Sequence, residues 1–435
     1  MHQDKFMDSF HKVLIALLIL LKTSCVPVTT NSNQNNSQKI LYDNINYSHS
    51  VRLVQIFPGN YGLNGMQNPV FDLNRDPSIL LSFDLSEENF ENLYVKFIHC
   101  NANWSPSGLP DIRFLDDYNA FPIDEFEYSA NTRIPYVHYE SVLPVPNIAG
   151  NYIIKVYRDT EDDLVLTRKV IVYENNVVIE PSPQLSSNLQ QKNEFQQINF
   201  SVNYEKLGNI NALGDLKFII LQNHQWLTSV TNLRPSSVRN DLKTLEFRLF
   251  DLENNFPGIN EFRFFDLRTV DYRAMNVSRV IKTDSIVEAY INHDQSRNTL
   301  AYTQIHDDLN GNYYLENQDP NDSFLESEYV RTHFRLLSEK INGRVYVSGR
   351  FNNWRIESSN QLIYNIEEQA YTGSLLLKQG YYNYMYWVQS DELPYYYFEG
   401  SKFQTENEYE ILCYFRNPAN NYDELVGYKK ITVRF

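Results

Sequence analysis

The sequence has few cysteines and few cationic residues, and each shortage excludes classes of protein. Three cysteines in 435 residues are too few for a disulfide framework. Neither a CxxC pair nor a Cys/His cluster with the spacing of a zinc site occurs. The 38 Lys and Arg stand against 54 Asp and Glu, which gives a formal net charge of −16. That charge argues against nucleic acid as a partner. From the missing metal-site spacing we predict no metal, and we also predict no cofactor.

The sequence also lacks the motifs of common catalytic sites. Neither GxSxG nor HExxH is present, and the nine histidines are scattered singly. His99 and Cys100 are adjacent, but neighbouring residues of a strand point to opposite faces and cannot form a nucleophile–base pair. Residues 307–311 depart from the spacing of a calcium loop, so we predict a turn there. We therefore predict no catalytic residues and no enzymatic activity.

A short hydrophobic run near the start indicates export. Residues 13–21 (VLIALLILL) are nine apolar residues, whereas a membrane-spanning helix needs about 20. The run follows two lysines and precedes Cys25, an arrangement typical of a secretory signal and similar to a bacterial lipoprotein signal. We predict a signal peptide at residues 1–24, followed either by lipidation of Cys25 or by ordinary cleavage. The polar residues 25–39 are predicted to form a flexible tether.

Beyond residue 39 the sequence has the pattern of short β-strands. The 32 Tyr and 26 Phe favour pleated, half-buried surfaces. Runs of alternating apolar residues are separated by Pro, Gly, Asn and Asp, and no long amphipathic helix is indicated. The predicted strands include residues 51–57, 79–85, 93–99, 151–157, 164–173, 198–204, 216–222, 244–250 and 261–267. The predicted fold class is all-β, with tandem β-sandwich domains of Ig-like or E-set-like type.

We predict three sandwiches in succession along the chain, because the length implies more than one core. The first occupies residues 40–180, the second residues 181–291 and the third residues 329–435. Residues 292–328 are polar and rich in Asp and Asn, so they are predicted to form a linker or an extended crossing.

Cys100 and Cys413 fall in the first and the third predicted sandwich. Nothing in the sequence requires those sandwiches to touch at these positions. We therefore predict that the two cysteines are not joined and that both thiols are free.

A sharper motif lies in the third predicted sandwich. Residues 345–354 (VYVSGRFNNW) and 380–388 (GYYNYMYWV) resemble the early-Ig sandwich of glycogen-binding modules. In those modules the tryptophan of the turn stacks on sugar; Trp354 has that position, and Trp387 is a candidate second platform. The same pattern occurs in modules that bind no sugar, and we predict that Trp354 packs its turn against the sandwich.

Several motifs along the chain resemble one known family. They are IHCNANWSPS (98–107), FEYSANTR (126–133), LQNHQW (221–226), PGINEFR (257–263) and FQTENEY (403–409). Together they make residues 51–435 similar to the type IX secretion system plug protein family of Bacteroidota. Within these motifs we predict that Trp104 and Tyr128 serve turn and core packing rather than contact with a translocon.

The resemblance implies a non-enzymatic protein that occludes the periplasmic mouth of a very large outer-membrane β-barrel translocon. The implied partner is that barrel, and the implied location is the periplasm. If Cys25 is lipidated, the protein is tethered to the inner face of the outer membrane. The resemblance supplies no site residues. The alternative function is a carbohydrate-binding envelope lipoprotein that would use Trp354 and Trp387.

Overall fold

The structure is a computed structural model, and it describes residues 39–59, 66–302, 308–318 and 324–435. The predicted signal peptide, Cys25 and the predicted tether except Lys39 lie outside the described residues. Residues 40–435 cluster as one unit. Among the described residues, no helix is long and apolar enough to cross a membrane.

The all-β prediction is confirmed, because strands account for nearly all regular structure. The short helices are α1 (Ala212–Asp215) and 3-10 turns at Asp111–Arg113, Glu205–Leu207, Asn240–Leu242, Phe324–Glu326, Arg350–Asn352 and Ser358–Asn360.

The first domain is a sandwich of two sheets. Its strands are β1 (Ile45–Asn46), β2 (Val51–Pro58), β3 (Val70–Asp72), β4 (Ile79–Leu85), β5 (Leu93–Cys100), β6 (Phe121–Pro122), β7 (Glu125–Tyr128), β8 (Val137–Leu143), β9 (Gly150–Arg158) and β10 (Leu164–Tyr173). One sheet has the order β1-β10-β9-β5-β6, with β3 parallel to β10, and the other has the order β2-β4-β8-β7. Their facing side chains form the first core.

Strand β9 is buried on both faces along almost its whole length. Tyr152, Ile154 and Val156 belong to the first core. Ile153 points to the opposite face, where it joins a second cluster that includes Leu412 of a distant strand. The first domain is therefore covered on its outer face by other parts of the chain.

The second domain combines two distant segments of the chain. Its strands are β11 (Val178–Leu185), β12 (Phe195–Asn203), β13 (Leu216–Gln222), β14 (Val230–Thr231), β15 (Ser237–Arg239), β16 (Thr244–Phe247) and β17 (Asn255–Pro257), with β28 (Asn407–Arg416) and β29 (Asp423–Val433). One sheet has the order β11-β12-β16-β15, with β17 on β12, and the other has the order β14-β13-β28-β29. Phe200 and Phe247 of the first sheet stack at 4.3 Å, and Phe218 of the second sheet lies 4.6 Å from Phe247.

The third domain lies between those segments. Its strands are β18 (Arg263–Asp266), β19 (Val277–Lys282), β20 (Val287–Ile291), β21 (Asp294–Gln295), β22 (Tyr313–Leu315), β23 (Tyr329–Leu337), β24 (Arg344–Ser348), β25 (Gln361–Asn365), β26 (Ala370–Lys378) and β27 (Gly380–Gln389). The sheet order is β18-β27-β24-β25-β26-β23-β20-β19, with β21 on β23 and β22 on β27. Phe334 of β23 lies 5.4 Å from Tyr384 of β27, so the sheet folds over and encloses a core.

Strand pairing crosses the predicted boundaries, and this corrects the prediction of three consecutive sandwiches. Strand β11 spans the predicted boundary at residue 180. Strand β13, from the predicted second sandwich, pairs with β28, from the predicted third. Two further strands of the predicted second sandwich pair with the predicted third, because β18 pairs with β27 and β20 pairs with β23. The predicted linker 292–328 contains two strands, β21 and β22, which pair with β23 and β27.

The physical reason is that β11, β12 and β16 form only one layer. A sandwich needs a second layer to cover its apolar face, and strands from the end of the chain supply most of that layer. The third domain is therefore an insertion in the second. Its two ends are close together, since Asn407 Nδ2 donates a hydrogen bond of 2.9 Å to the carbonyl of Gly258.

Candidate functional site

Buried polar side chains join the first and third domains. The Asp84 carboxylate accepts hydrogen bonds from Lys378 Nζ at 2.8 Å and from the Tyr329 hydroxyl at 2.6 Å. Its other oxygen lies 2.6 Å from His138 Nδ1. Lys378 Nζ also lies 4.2 Å from the centroid of the Tyr136 ring. We refer to Asp84, His138, Tyr329 and Lys378 as the Asp84 network.

The alternation of strand β4 places Asp84 at this contact. Leu81, Phe83 and Leu85 point into the first core, so Asp84 lies on the opposite face of the sheet. That face is covered by the third domain, whose strand β26 ends at Lys378. Both side chains are fully buried.

The electrostatics of the network favour an ionised Asp84. Burial by itself raises the pKa of the Asp84 carboxyl, but attraction to Lys378 and the hydrogen bond with His138 outweigh it. The pKa of Asp84 therefore lies below its ordinary value. Removing one partner would leave a buried charge unpaired, which is strongly unfavourable. The network thus holds the first domain against the third.

A second polar contact joins the first and second domains. The Asp423 carboxylate accepts hydrogen bonds from the Ala102 backbone N–H at 3.0 Å and from Lys217 Nζ at 2.8 Å. Nearby, the Tyr414 hydroxyl bonds Asn151 Oδ1 at 2.8 Å. These groups border an apolar cluster to which both domains contribute. The contact therefore combines apolar burial with oriented polar bonds.

A third buried ionic group lies within the inserted domain. Arg263 Nε and Arg297 Nε each lie 3.0 Å from Glu399, which also accepts a 2.9 Å hydrogen bond from the Tyr386 N–H. Burial raises the pKa of Glu399, but the two arginines outweigh it and hold the pKa at about 2. Arg263 also pairs with Asp294 at 2.8 Å. This arrangement fixes the loop after β27 rather than offering a reactive carboxyl.

The two tryptophans considered as a sugar platform are both buried. Trp354 is 2% exposed and Trp387 is 6% exposed. Trp354 packs on Phe262 with ring centroids 5.6 Å apart, and Trp387 stacks on Tyr395 at 4.3 Å. A stacking platform must present a ring face to solvent, so the platform interpretation is wrong at both positions. The predicted packing role of Trp354 is confirmed.

The other two aromatic predictions have different outcomes. Trp104 is buried, with its ring 5.0 Å from Trp226 and Lys169 Nζ 4.8 Å from its centroid, so its packing role is confirmed. Tyr128 is 49% exposed, and the packing prediction is wrong there. It ends the edge strand β7, where its side chain meets only Phe126 among the aromatic rings described.

The cysteines and His99 do not form a reactive site. Cys100 and Cys413 are free, as predicted, and both are buried. Burial raises the pKa of the Cys100 thiol to about 12 and also raises that of Cys413, so neither is a ready thiolate. Burial lowers the pKa of His99 to about 4, and its Nδ1 lies 2.7 Å from Ser107 Oγ. In the part of the chain that the structure describes, no group of three His, Cys, Asp or Glu residues could hold a metal.

The predicted turn at residues 307–311 is confirmed for its described part. The Asn312 N–H donates to the Leu309 carbonyl at 3.0 Å, and the Asn310 N–H donates to Asp308 Oδ1 at 2.7 Å. Burial raises the pKa of Asp308 to about 7. Asp307 lies outside the described residues.

The first domain matches a known family. Residues 50–174 match the family model described as Type 9 secretion system plug protein 1st domain. The chain carries a type IX secretion system plug first domain. The match spans β2 to β10 and contains the motifs at residues 98–107 and 126–133, so the predicted resemblance to the plug family is confirmed in the first domain. This match supports a role of the chain as a component of the type IX secretion system.

The plug first domain occurs here within a larger architecture that a solved structure shares. A crystal structure of a hypothetical protein from Parabacteroides merdae ATCC 43184 is similar, with a TM-score of 0.83 and 26% sequence identity. The similarity covers 91% of this chain and 100% of that one. No curated protein matches the chain significantly.

Sequence reasoning missed the residues that bind the plug first domain to the rest of the chain. Asp84 and His138 lie inside the matched range, whereas Tyr329 and Lys378 lie outside it. One signal was available, because Asp84 interrupts an otherwise nearly apolar strand, ILLSFDL. A charged residue in such a strand requires a buried partner, but the sequence does not identify that partner.

Proposed function

We propose that the protein occludes the periplasmic mouth of the outer-membrane translocon barrel of the type IX secretion system, and that it acts without catalysis. The observation that carries the proposal is the match of residues 50–174 to the plug first domain. The task is steric, because a pore wide enough for folded proteins leaks small solutes unless a body covers it.

The buried contacts between domains support this proposal. A plug must resist deformation, and domains held by small polar interfaces usually move relative to one another. Here the Asp84 network and the Asp423 contact place ionised groups between domains, together with shared apolar clusters. Separating the domains would expose apolar surface and leave charges without their partners, so the three domains should move as one body.

We predict that deletion of the gene makes the outer membrane leaky. The deletion strain should admit large antibiotics or dyes that the outer membrane normally excludes, because the barrel would remain without its cover. Dye uptake and antibiotic sensitivity, compared with the parent strain and with a complemented strain, measure the effect.

A strain that lacks both this protein and the barrel is the matched control, and it should be as impermeable as the parent. The proposal also requires that the tagged protein co-purifies with an outer-membrane barrel from detergent extracts. A deletion strain no leakier than its parent, together with the absence of a co-purifying barrel, would contradict it.

We further propose a periplasmic location, with a lipid anchor at Cys25. A fatty-acid analogue should label the wild-type protein and should not label Cys25→Ser, because acylation requires the thiol. Labelling followed by immunoprecipitation makes the measurement. Equal labelling of both proteins would exclude the anchor at Cys25. The proposed occlusion does not depend on the anchor and would still be tested by the leak assay.

A further inference from the structure

A cavity of about 300 Å³ lies between the first and third domains. One wall includes residues 51–54 of β2 and Arg168 of β10, and the other includes residues 351–353, Arg355, Glu357 and residues 374–378 of β26. At roughly 30 Å³ per water molecule, it has room for a small organic molecule.

The lining of the cavity is cationic although the chain has a net charge of −16. Arg52, Arg168 and Arg355 line it, and Glu357 is the acidic side chain among its described lining residues. Lys378 also contributes to the wall, but it is paired within the Asp84 network. The cavity thus concentrates positive charge in an otherwise acidic protein.

Arg168 is held in place without being neutralised. It is more than nine-tenths buried, and its Nη1 donates to the carbonyls of Ile45 and Thr167 at 3.0 and 2.8 Å. Its Nη2 donates to Asn46 Oδ1 at 2.6 Å. All three acceptors are neutral. Burial and the nearby charge of Arg355 lower the pKa of Arg168 to about 9, which shows that the surroundings disfavour an uncompensated cation.

Each of the three arginines also has one guanidinium nitrogen that is enclosed by protein atoms and has no hydrogen-bond partner among the described residues. These nitrogens are Arg52 Nε, Arg168 Nε and Arg355 Nη1. Arg355 does pair with Glu357, but through its other two nitrogens. Guanidinium groups bind carboxylate and phosphate oxygens with particularly good geometry, so three of them on one cavity favour an anionic ligand.

We infer that this cavity binds a small oxyanion, a molecule with a carboxylate or phosphate group, which contacts both the first and the third domain. A purely structural role of Arg168 in holding β1 accounts for its Nη1 and Nη2 bonds. It does not account for three arginines lining one cavity in which Glu357 is the acidic side chain among the described lining residues. The inference is independent of the proposed occlusion of the barrel.

Thermal unfolding of the purified full chain tests the inference. Sodium phosphate and sodium succinate are titrated against sodium chloride at equal ionic strength, and binding is also measured by calorimetry. At least one oxyanion should raise the melting temperature saturably by about 2 °C or more, because a ligand that binds only the folded state stabilises it. Arg168→Gln should weaken binding about tenfold or more, since charge-assisted hydrogen bonds are lost.

Arg248→Gln is the matched control, because Arg248 is exposed and does not line this cavity. It should bind the oxyanion as the wild type does. If Arg168→Gln does not fold, Arg355→Gln makes the same comparison. Binding of phosphate alone or of succinate alone would support the inference and identify the group recognised. Equal shifts with chloride, equal binding by Arg168→Gln and Arg248→Gln, or no saturable shift with either oxyanion would overturn it.

Discussion

Lys378→Met should lower the free energy of unfolding by about 3–5 kcal/mol, the cost of breaking a buried ion pair by removing one partner. Methionine has nearly the length of lysine, so the substitution removes the charge with little loss of volume. Asp84 would keep His138 and Tyr329 as partners but would lose its nearest cation. Urea unfolding followed by circular dichroism measures the change.

Lys430→Met is the matched control, because Lys430 forms a more exposed pair with Glu408 at 2.8 Å. An exposed pair contributes about 0–1 kcal/mol, so this variant should remain close to the wild type. Combining Lys378→Met with Asp84→Asn removes both charges, and the double variant should be less destabilised than the two single changes added together. Additive losses would show that Asp84 and Lys378 are not coupled.

The same pair predicts the direction of the acid response. The pKa of Asp84 is lower in the folded chain than in the unfolded chain. Its contribution to stability is therefore fully present above the unfolded value of roughly 3.9 and is lost as the pH falls through the folded value. Lys378→Met removes the main attraction that lowers this pKa. The variant should therefore unfold at a higher pH than the wild type during acid titration.

Local sequence patterns were sufficient for most strands of the first domain. The predicted strands at residues 79–85 and 164–173 coincide with β4 and β10, and 51–57 and 93–99 each stop one residue short of β2 and β5. Several of these strands pair with a neighbour along the chain, as β9 pairs with β10. Alternation of apolar residues and turn residues between strands carry that information.

The domain order could not be predicted, because the pairing of β13 with β28 joins residues almost two hundred positions apart. An apolar strand pattern indicates that a face is covered, and it does not indicate by which segment. The same limit applies to Asp84 and Lys378, which are separated by 294 residues. It also applies to the tryptophan motif. The motif predicts that Trp354 lies in a turn, but it does not predict that Phe262 packs against the Trp354 ring.

Trp354→Ala should lower the free energy of unfolding by about 3 kcal/mol, because truncating a buried aromatic residue costs on the order of 3–5 kcal/mol. The lower end is expected because Trp354 Nε1 has no hydrogen-bond partner among the described residues, and the truncation removes that unsatisfied donor. Gly311→Ala should also destabilise the protein. Its φ of +80° is unfavourable for alanine, and a Cβ there would lie 2.3 Å from the Trp354 ring.

Tyr118→Ala is the control for the loss of an aromatic side chain, because Tyr118 is 87% exposed. It should change stability by no more than about 0.5 kcal/mol. Retention on glucan resin separates the packing role of Trp354 from sugar binding, and the wild type should pass through without delay. Tight retention of the wild type that is lost in a fully stable Trp354→Ala variant would require an exposed ring. That result would contradict the packing of Trp354 against Phe262 and Gly311, and would favour the carbohydrate-binding alternative.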